Sequence, residues 1–373
     1  MMNNRYRILA EELLGLAGVT VNGRNPWDIQ VYDERFFGRV LTNGELGLGE
    51  SYMDGWWDVQ QLDEFINKVL RTQLDKKIRR SWPTLLKLAM ARVVNLQSQR
   101  RAFIIGKRHY DLGNDLFLNM LDKRVNYSCA YWENATTLDE AQEKKLNLLC
   151  RKLYLQRGMR VLDIGCGWGA FGKYAAEHYG VSVVGVTVSQ QQMKLGRKLC
   201  EGLPVEFRLM DYRDLEGSFD RIVSVGMIEH VGYKNYRTFF DVIDKCLKND
   251  GLFLLHTIGA NQSSTSVNAW TDKYIFPSGM LPSVAQLANT FEDLFVMEDW
   301  HSFGQHYDRT LMTWYQNFTA NWEKIKDRYD ERFYRMWKFY LLSSAGSFRA
   351  RHIQLWQAVL SKHGMAGGYQ AVR

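Results

Sequence analysis

The sequence predicts an α/β chain in which a small, mainly helical N-terminal domain precedes a doubly wound, mostly parallel sheet. Three observations carry this. β-branched apolar runs alternate with helical segments between Arg160 and Ile258, and a glycine-rich turn joins the first run to the first helix. Before position 91, apolar residues recur at helical spacing instead.

At the amino-terminal end, Ile8 to Val19 is apolar but interrupted by Glu11 and Glu12, so it reads as an amphipathic helix and not as a signal peptide. Leu41-Thr-Asn-Gly44 and Gly47-Leu-Gly49 predict turns that lead into Glu50-Ser-Tyr-Met-Asp-Gly-Trp-Trp57. Helical spacing returns from Leu62 to Leu70 and from Leu74 to Val94. The expected division is an N-terminal domain over 1–91, a basic linker over 92–108 and a catalytic domain over 109–373. Thr137-Leu-Asp-Glu140 is a capping box that opens a helix running to about Leu155 and ending by Gly158.

Five strands follow: Arg160 to Ile164, Ser182 to Val188, Val205 to Met210, Asp220 to Gly226 and Leu252 to Ile258. Helices are expected between them at Phe171 to His178, Gln190 to Cys200 and Tyr236 to Leu247. In such a sheet, ligands bind at the carboxyl ends of the strands. Beyond Ile258 the alternation breaks, and the polar segment 260–285, with Pro277 and Pro282, predicts a lid or entry loop. Phe295 to Trp300 and Ile353 to Leu360 read as further strands. Residues 301–360 hold fourteen aromatics, largely at helical spacing, which serve either as core or as a wall around an apolar substrate.

With 373 residues, 46% apolar and 24% charged, the composition is globular and long enough for two domains. The formal charge of +7 points to a polyanion, either nucleic acid or an anionic lipid surface. Its location is more informative than its sum. Twelve basic residues and one acid, Asp75, lie between Lys68 and Arg108, a pattern that suits a docking surface or a solvated helical face. Cys129, Cys150, Cys166, Cys200 and Cys246 are too scattered for a disulfide framework, so a reducing cytoplasm is expected. No stretch is apolar enough to span a bilayer, which leaves peripheral membrane contact. His301 and His306 are poorly spaced for one metal, and no metal site is expected.

Val161-Leu-Asp-Ile-Gly165-Cys-Gly167-Trp-Gly169 joins strand to helix, where glycines let the backbone approach a ligand and the helix terminus favours negative groups. Gly165, Gly167 and Ala170 also satisfy a dinucleotide fingerprint, so NAD is an alternative. However, no acid stands about twenty residues on, where Gly185-Val-Thr187-Val-Ser189 is found. Asp163 before the first glycine completes a DxGxGxG pattern that resembles the first motif of S-adenosylmethionine (AdoMet) methyltransferases. Hydroxyls and amides at Thr187, Ser189, Gln191 and Gln192 would then hold the ribose, and Asp211 and Tyr212 the adenine.

Taken together, Gly47 to Trp57, His109-Tyr-Asp-Leu-Gly-Asn-Asp-Leu-Phe117, Tyr127-Ser-Cys-Ala-Tyr-Trp132, Val161 to Gly169 and Ser224-Val-Gly-Met-Ile-Glu-His-Val-Gly232 closely resemble the bacterial cyclopropane-fatty-acyl-phospholipid synthases. The mycolic acid cyclopropane synthases are more distantly similar. His256-Thr-Ile258, Tyr274-Ile-Phe-Pro277 and Ser347-Phe-Arg-Ala-Arg351 extend the likeness, which covers nearly the whole chain. The resemblance implies a Rossmann-like AdoMet-dependent methyltransferase fold. The implied activity converts the cis double bond of an unsaturated phospholipid acyl chain to a cyclopropane, by methyl transfer, carbocation formation and deprotonation by a bound bicarbonate.

By the same resemblance, Cys129, Glu229, His256, the backbone at Ile258 and Tyr307 hold that anion. Tyr127 and Ser128 contact AdoMet, with Gly165, Cys166 and Gly167 forming the loop beneath it. A bare Glu229 carboxylate would repel an anion, so its place makes sense only if it orients a donor or accepts the anion's own hydrogen. From the residues alone, Cys129 is equally a small buried hydrophobe and His256 a satisfied core histidine. The resemblance further implies a homodimer that acts at an anionic phospholipid membrane on its inner face, which disfavours nucleic acid as the partner. Ser344 stands where many relatives carry cysteine, so no cysteine nucleophile is expected there.

Overall fold

A computed structural model of the chain describes residues 2–73 and 113–373. The expected helix over 74–94, the linker 92–108 and most of the basic stretch lie outside the described residues.

In chain order the first elements are α1 (Met2–Leu16), β1 (Gln30–Val31), α2 (Arg35–Met53), β2 (Trp57–Asp58) and α3 (Leu62–Arg71). Next come α4 (Asn114–Met120), α5 (Leu138–Lys152), β3 (Arg160–Ile164), α6 (Ala170–Tyr179), β4 (Ser182–Thr187), α7 (Gln190–Leu199), β5 (Val205–Leu209) and β6 (Phe219–Val225). The remainder are α8 (Tyr236–Cys246), β7 (Leu247–Ala260), α9 (Ala269–Tyr274), α10 (Val284–Phe291), β8 (Val296–Ser302), α11 (Gln305–Ile325), α12 (Glu331–Arg349) and β9 (Ile353–Ser361).

The chain divides into two compact units that are not contiguous in sequence. The first gathers the N-terminal residues with Ser266–Pro277 and Tyr307–Ile353, and the second contains 113–265, Ser278–His306 and Gln354–Arg373. Two segments that sequence reading assigned to 109–373 therefore cluster with the N-terminal helices.

In the first unit, α12 packs along α3 and α2, and Gly346 permits the approach: a Cβ there would come within 2.4 Å of the Asp63 carbonyl oxygen. Arg335 ties α12 to the β1–β2 ladder region. Its guanidinium donates to the Tyr52 and Trp57 carbonyls at 2.6 and 2.9 Å and to Asp58 Oδ2 at 2.9 Å. Arg349 pairs with Asp308 at 3.0 Å and with Asp63 at 2.6 Å. Trp314, Phe318, Trp337 and Tyr340 are buried, so this part of the aromatic stripe forms core.

Two local expectations are corrected here. The glycine-rich stretch 41–49 is not a pair of turns but part of α2, because only Gly44 leaves helical geometry, at φ 55° and ψ −129°, and kinks the helix. The polar segment 260–285 is not all loop. Asn268 caps α9 by accepting the Thr271 N–H, and Trp270 buries its ring 4.8 Å from Phe339.

The second unit contains the seven-stranded sheet, in the order β5-β4-β3-β6-β7-β9-β8. The β5–β4, β4–β3, β3–β6 and β6–β7 pairs are parallel, and β8–β9 is antiparallel. Sequential strands thus step outward to one side from β3 and then to the other, placing a crevice at the carboxyl ends of β3 and β6. Leu162, Ile164, Val184, Ile222 and Phe253 pack against α8, while Val161, Val183, Val223 and Leu254 pack against α5 and α6, so both faces are covered. The capping box at Thr137 and Glu140 forms as predicted. Among the described residues, no helix is long and apolar enough to cross a membrane.

Candidate active site

The parallel strands bring their carboxyl ends to one edge, and the polar residues expected there arrive together. After β3, the chain turns through Gly165, whose φ of 84° and tight contact with Met227 leave no room for a side chain: a Cβ would come within 2.7 Å of Met227 Cγ. The N–H groups of Gly165 and Cys166 both donate to the Val186 carbonyl, at 2.9 and 3.0 Å, which binds the loop to β4. Gly169, at φ 85°, opens α6. Asp163 is buried just before the turn. Burial pushes its carboxyl up to about 7, against the opposing influence of Lys145.

At the end of β4, Thr187 Oγ1 donates to Gln192 Oε1 at 2.8 Å and accepts the Ser189 N–H at 3.1 Å. Ser189 caps α7 by accepting the Gln192 N–H. After β5, Asp211 is gripped by Arg213, which donates from Nε at 2.7 Å and from Nη2 at 2.8 Å. Tyr212 is buried beside it, and its hydroxyl has no partner. At Gly185 on β4 a Cβ would lie 2.9 Å from Cys166 Sγ, which disfavours any side chain at that position.

A second loop carries Tyr127, Ser128 and Cys129. The Tyr127 ring meets Phe117 edge-on at 5.1 Å, and Phe117 lies 5.0 Å from Trp168 of the glycine turn. Residues that sequence reading did not nominate hold this loop. Lys145 Nζ donates to Asn126 Oδ1 at 2.8 Å and to Ser128 Oγ at 3.0 Å. Gln142 donates to the Ser128 carbonyl at 2.9 Å, and Asn126 clamps Asp122 through both its backbone and side-chain N–H. Cys129 is fully buried, with its thiol donating to the Ala130 carbonyl at 3.2 Å.

The third group sits where β6 and β7 end. Glu229 follows β6 in a single 3-10 turn, and its Oε1 accepts the Ile258 N–H at 2.8 Å. That N–H, expected to face an anion, is thus engaged by the carboxylate. Burial pushes Glu229 up to about 7 despite this bond, and Oε2 is buried with no hydrogen-bond partner among the described residues.

His256, on β7, is buried to 1% exposure, and burial drives its basicity well below the ordinary imidazole range. Its Nδ1 lies 3.2 Å from the side-chain amide nitrogen of Gln357 on β9. An amide nitrogen only donates, so Nδ1 accepts and the neutral ring carries its proton on Nε2. That Nε2 has no hydrogen-bond partner among the described residues. Gln357 is a further residue that sequence reading missed.

Tyr307 belongs to the first unit, where its ring packs 4.7 Å from Phe348 and 5.9 Å from Trp314. Ser344 lies half-buried on α12. His306 Nδ1 accepts the Trp132 N–H at 3.0 Å.

A glycine turn after the first strand, a hydroxyl–amide cluster after the second and a carboxylate with a ring after the third define an AdoMet-dependent methyltransferase. Residues 97–358 match the mycolic acid cyclopropane synthetase family, and the chain belongs to that family. It is 56% identical over 371 residues to the cyclopropane-fatty-acyl-phospholipid synthase of Escherichia coli K12, spanning all of this chain and 97% of that one. The structure of the cyclopropane synthase MmaA2 from Mycobacterium tuberculosis superposes with a TM-score of 0.66 at 33% identity, covering 70% of this chain and 98% of that one. Mycolic acid cyclopropane synthase CmaA1, complexed with SAH and CTAB, gives 0.66 at 34% identity with the same coverage.

Proposed function

We propose that this enzyme adds a methylene unit to the cis double bond of unsaturated phospholipid acyl chains, forming cyclopropane fatty acids. One observation carries the reading: likeness to the Escherichia coli cyclopropane-fatty-acyl-phospholipid synthase runs through the whole chain, the N-terminal unit included. AdoMet supplies an electrophilic methyl group when bound. Tyr127, Ser128, Asp163, Gly165, Cys166 and Gly167 take its methionine portion, Thr187, Ser189 and Gln192 the ribose, and Asp211 and Tyr212 the adenine. In this reading the alkene would take the methyl carbon as its bond to the sulfonium sulfur breaks and S-adenosylhomocysteine leaves, giving a carbocation on the lipid, and transfer of one proton from the added carbon to the base would close the ring. An unactivated alkene is a weak nucleophile, so holding it in a near-attack pose and excluding water are the protein's main tasks.

The proton acceptor in this reading is a bicarbonate ion held by Cys129, Glu229 and His256, with the Ile258 N–H acting through the Glu229 carboxylate that it already bonds. The buried groups fit a small oxyanion that carries its own hydrogen. His256 Nε2–H is a donor without a protein partner, and Glu229 Oε2 is an acceptor in the same condition. With Glu229 lifted to about 7, its carboxyl is about half protonated near neutral pH, which weakens its repulsion of an anion.

The basic stretch from Lys68 to Arg108 docks the enzyme on anionic phospholipid, at about 1 kcal/mol per well-placed cation. The enzyme works as a homodimer peripheral to the inner face of the membrane. Purified protein, AdoMet and vesicles of unsaturated anionic phospholipid, with and without bicarbonate, test the proposal. Mass spectrometry should show one CH₂ added per modified acyl chain, faster with bicarbonate. No addition on any lipid composition overturns it.

A further inference from the structure

We propose that Lys145 is a positioning residue for the cofactor, fixing the Ser128 hydroxyl as a donor toward the methionine carboxylate of AdoMet; this rests on the reading that Tyr127 to Cys129 line the cofactor site. Lys145 is 2% exposed, on the same helical stripe as Ala141, Leu148 and Leu149, where an aliphatic residue would pack at far lower cost. Its neighbour two turns on, Lys152, shows what a structural buried lysine looks like: it makes a direct ion pair with Asp299 at 2.9 Å.

Lys145 instead spends its hydrogens on two neutral oxygens, Asn126 Oδ1 and Ser128 Oγ, with Asp122 and Asp163 acting on it only through their charge. An ammonium has no acceptor. Ser128 Oγ must therefore accept from it, and the serine's own proton is turned away. Gln142 occupies the Ser128 carbonyl in the same way. Helix α5 thus takes up the Ser128 carbonyl and one lone pair of its hydroxyl, and leaves that hydroxyl a proton to present. With Thr187, Ser189 and Gln192 assigned to the ribose and Asp211 and Tyr212 to the adenine, the acceptor left near the glycine turn is the methionine end, whose anionic group is the carboxylate.

Calorimetric binding of S-adenosylhomocysteine, which keeps that carboxylate and needs no lipid, tests the assignment. Ser128→Ala and Lys145→Met should each weaken binding by about tenfold or more, and the double variant should be no weaker than Lys145→Met alone. In turnover, Lys145→Met should raise KM for AdoMet more than it lowers kcat. Additive losses, or wild-type affinity in Lys145→Met, overturn the proposal.

A second measurement needs no lysine substitution. Lys145 faces Asp122, Cys129, Asp163 and His256, and burial lowers it to about 8. Raising the pH from about 7 to about 9 removes its proton and lets Ser128 donate to the amine instead. The affinity ratio between wild type and Ser128→Ala should then shrink, and a constant ratio overturns the proposal. Failure of the vesicle assay with this coupling intact would sink the lipid reading and leave the role of Lys145 standing.

Discussion

The residues proposed for the cofactor and those proposed for the base differ in how their buried polar atoms are paired: the first are mostly bonded, the Tyr212 hydroxyl excepted, and the second include two atoms with no partner among the described residues. At the cofactor end, Thr187 bonds Gln192, Asp211 bonds Arg213 and Ser128 bonds Lys145. These pairs preorganise a surface without strain. At the base end, Glu229 Oε2 and His256 Nε2 are buried with no partner. Each such atom costs about 1–3 kcal/mol of desolvation. A fold tolerates two such atoms at the ends of neighbouring strands when a reaction uses them. In the proposed function the mostly paired group serves binding and the unpaired group chemistry.

The sharpest way to break that contrast is Glu229→Gln, which keeps the shape and the acceptor for the Ile258 N–H but changes the proton inventory at Oε2. We expect kcat to fall by about 10²- to 10³-fold, as for loss of a proton-handling group, while S-adenosylhomocysteine affinity stays within about twofold. Steady-state kinetics and calorimetry on the same preparation check both halves. If affinity falls along with kcat, the two ends are not separable.

The second expectation concerns stability against pH. Glu229 titrates near 7 when folded and from an ordinary value of 4.5 when unfolded, so between these values the folded state holds a proton that the unfolded chain has lost. The stability contributed by neutral Glu229 is therefore full below about 4.5 and is lost as pH rises through about 7. Asp163, lifted from 3.8 to about 7, contributes with the same sign. Urea unfolding should show a loss of about 1–3 kcal/mol across this window from Glu229, and Glu229→Gln should remove that share. An identical pH slope in the variant would mean that Glu229 is ionised in the folded protein across the window.

The same contrast explains what could be read in advance. The strand alternation, the capping box at Thr137 and the turn from Asp163 to Gly169 are local patterns, and the fold follows them. That Thr187, Ser189, Gln192, Asp211 and Tyr212 gather at strand ends was legible because a doubly wound sheet brings those ends to one edge; their contacts with a cofactor belong to the proposed function. Gly44 was misread, since a single glycine kinking a helix has the composition of a turn. Lys145 was missed although its spacing from Ala141 and Leu148 put it on the buried face, because a lysine reads as solvated until its partners are known. Gln357 was missed for a different reason: its significance lies in a contact with His256 across 101 residues of sequence. The return of 266–277 and 307–353 to the N-terminal unit is likewise a long-range packing result that no window of sequence contains.

The mildest test is at the paired end. Thr187→Val removes one hydroxyl that donates to Gln192 and accepts from the Ser189 N–H, leaving two buried groups short of a partner and the side-chain volume unchanged. Each buried group left without its partner costs about 1–3 kcal/mol, so we expect urea stability to fall by about 2 kcal/mol or more. Because Gln192 and the start of α7 lose their anchor, cofactor affinity should fall by about fivefold to tenfold, with kcat at saturating AdoMet unchanged. The signature is the reverse of Glu229→Gln: binding moves and chemistry does not. A Thr187→Val variant that lost kcat instead would show that the β4 edge takes part in the reacting geometry, and the division between a paired binding end and an unpaired chemical end would fail at its simplest point.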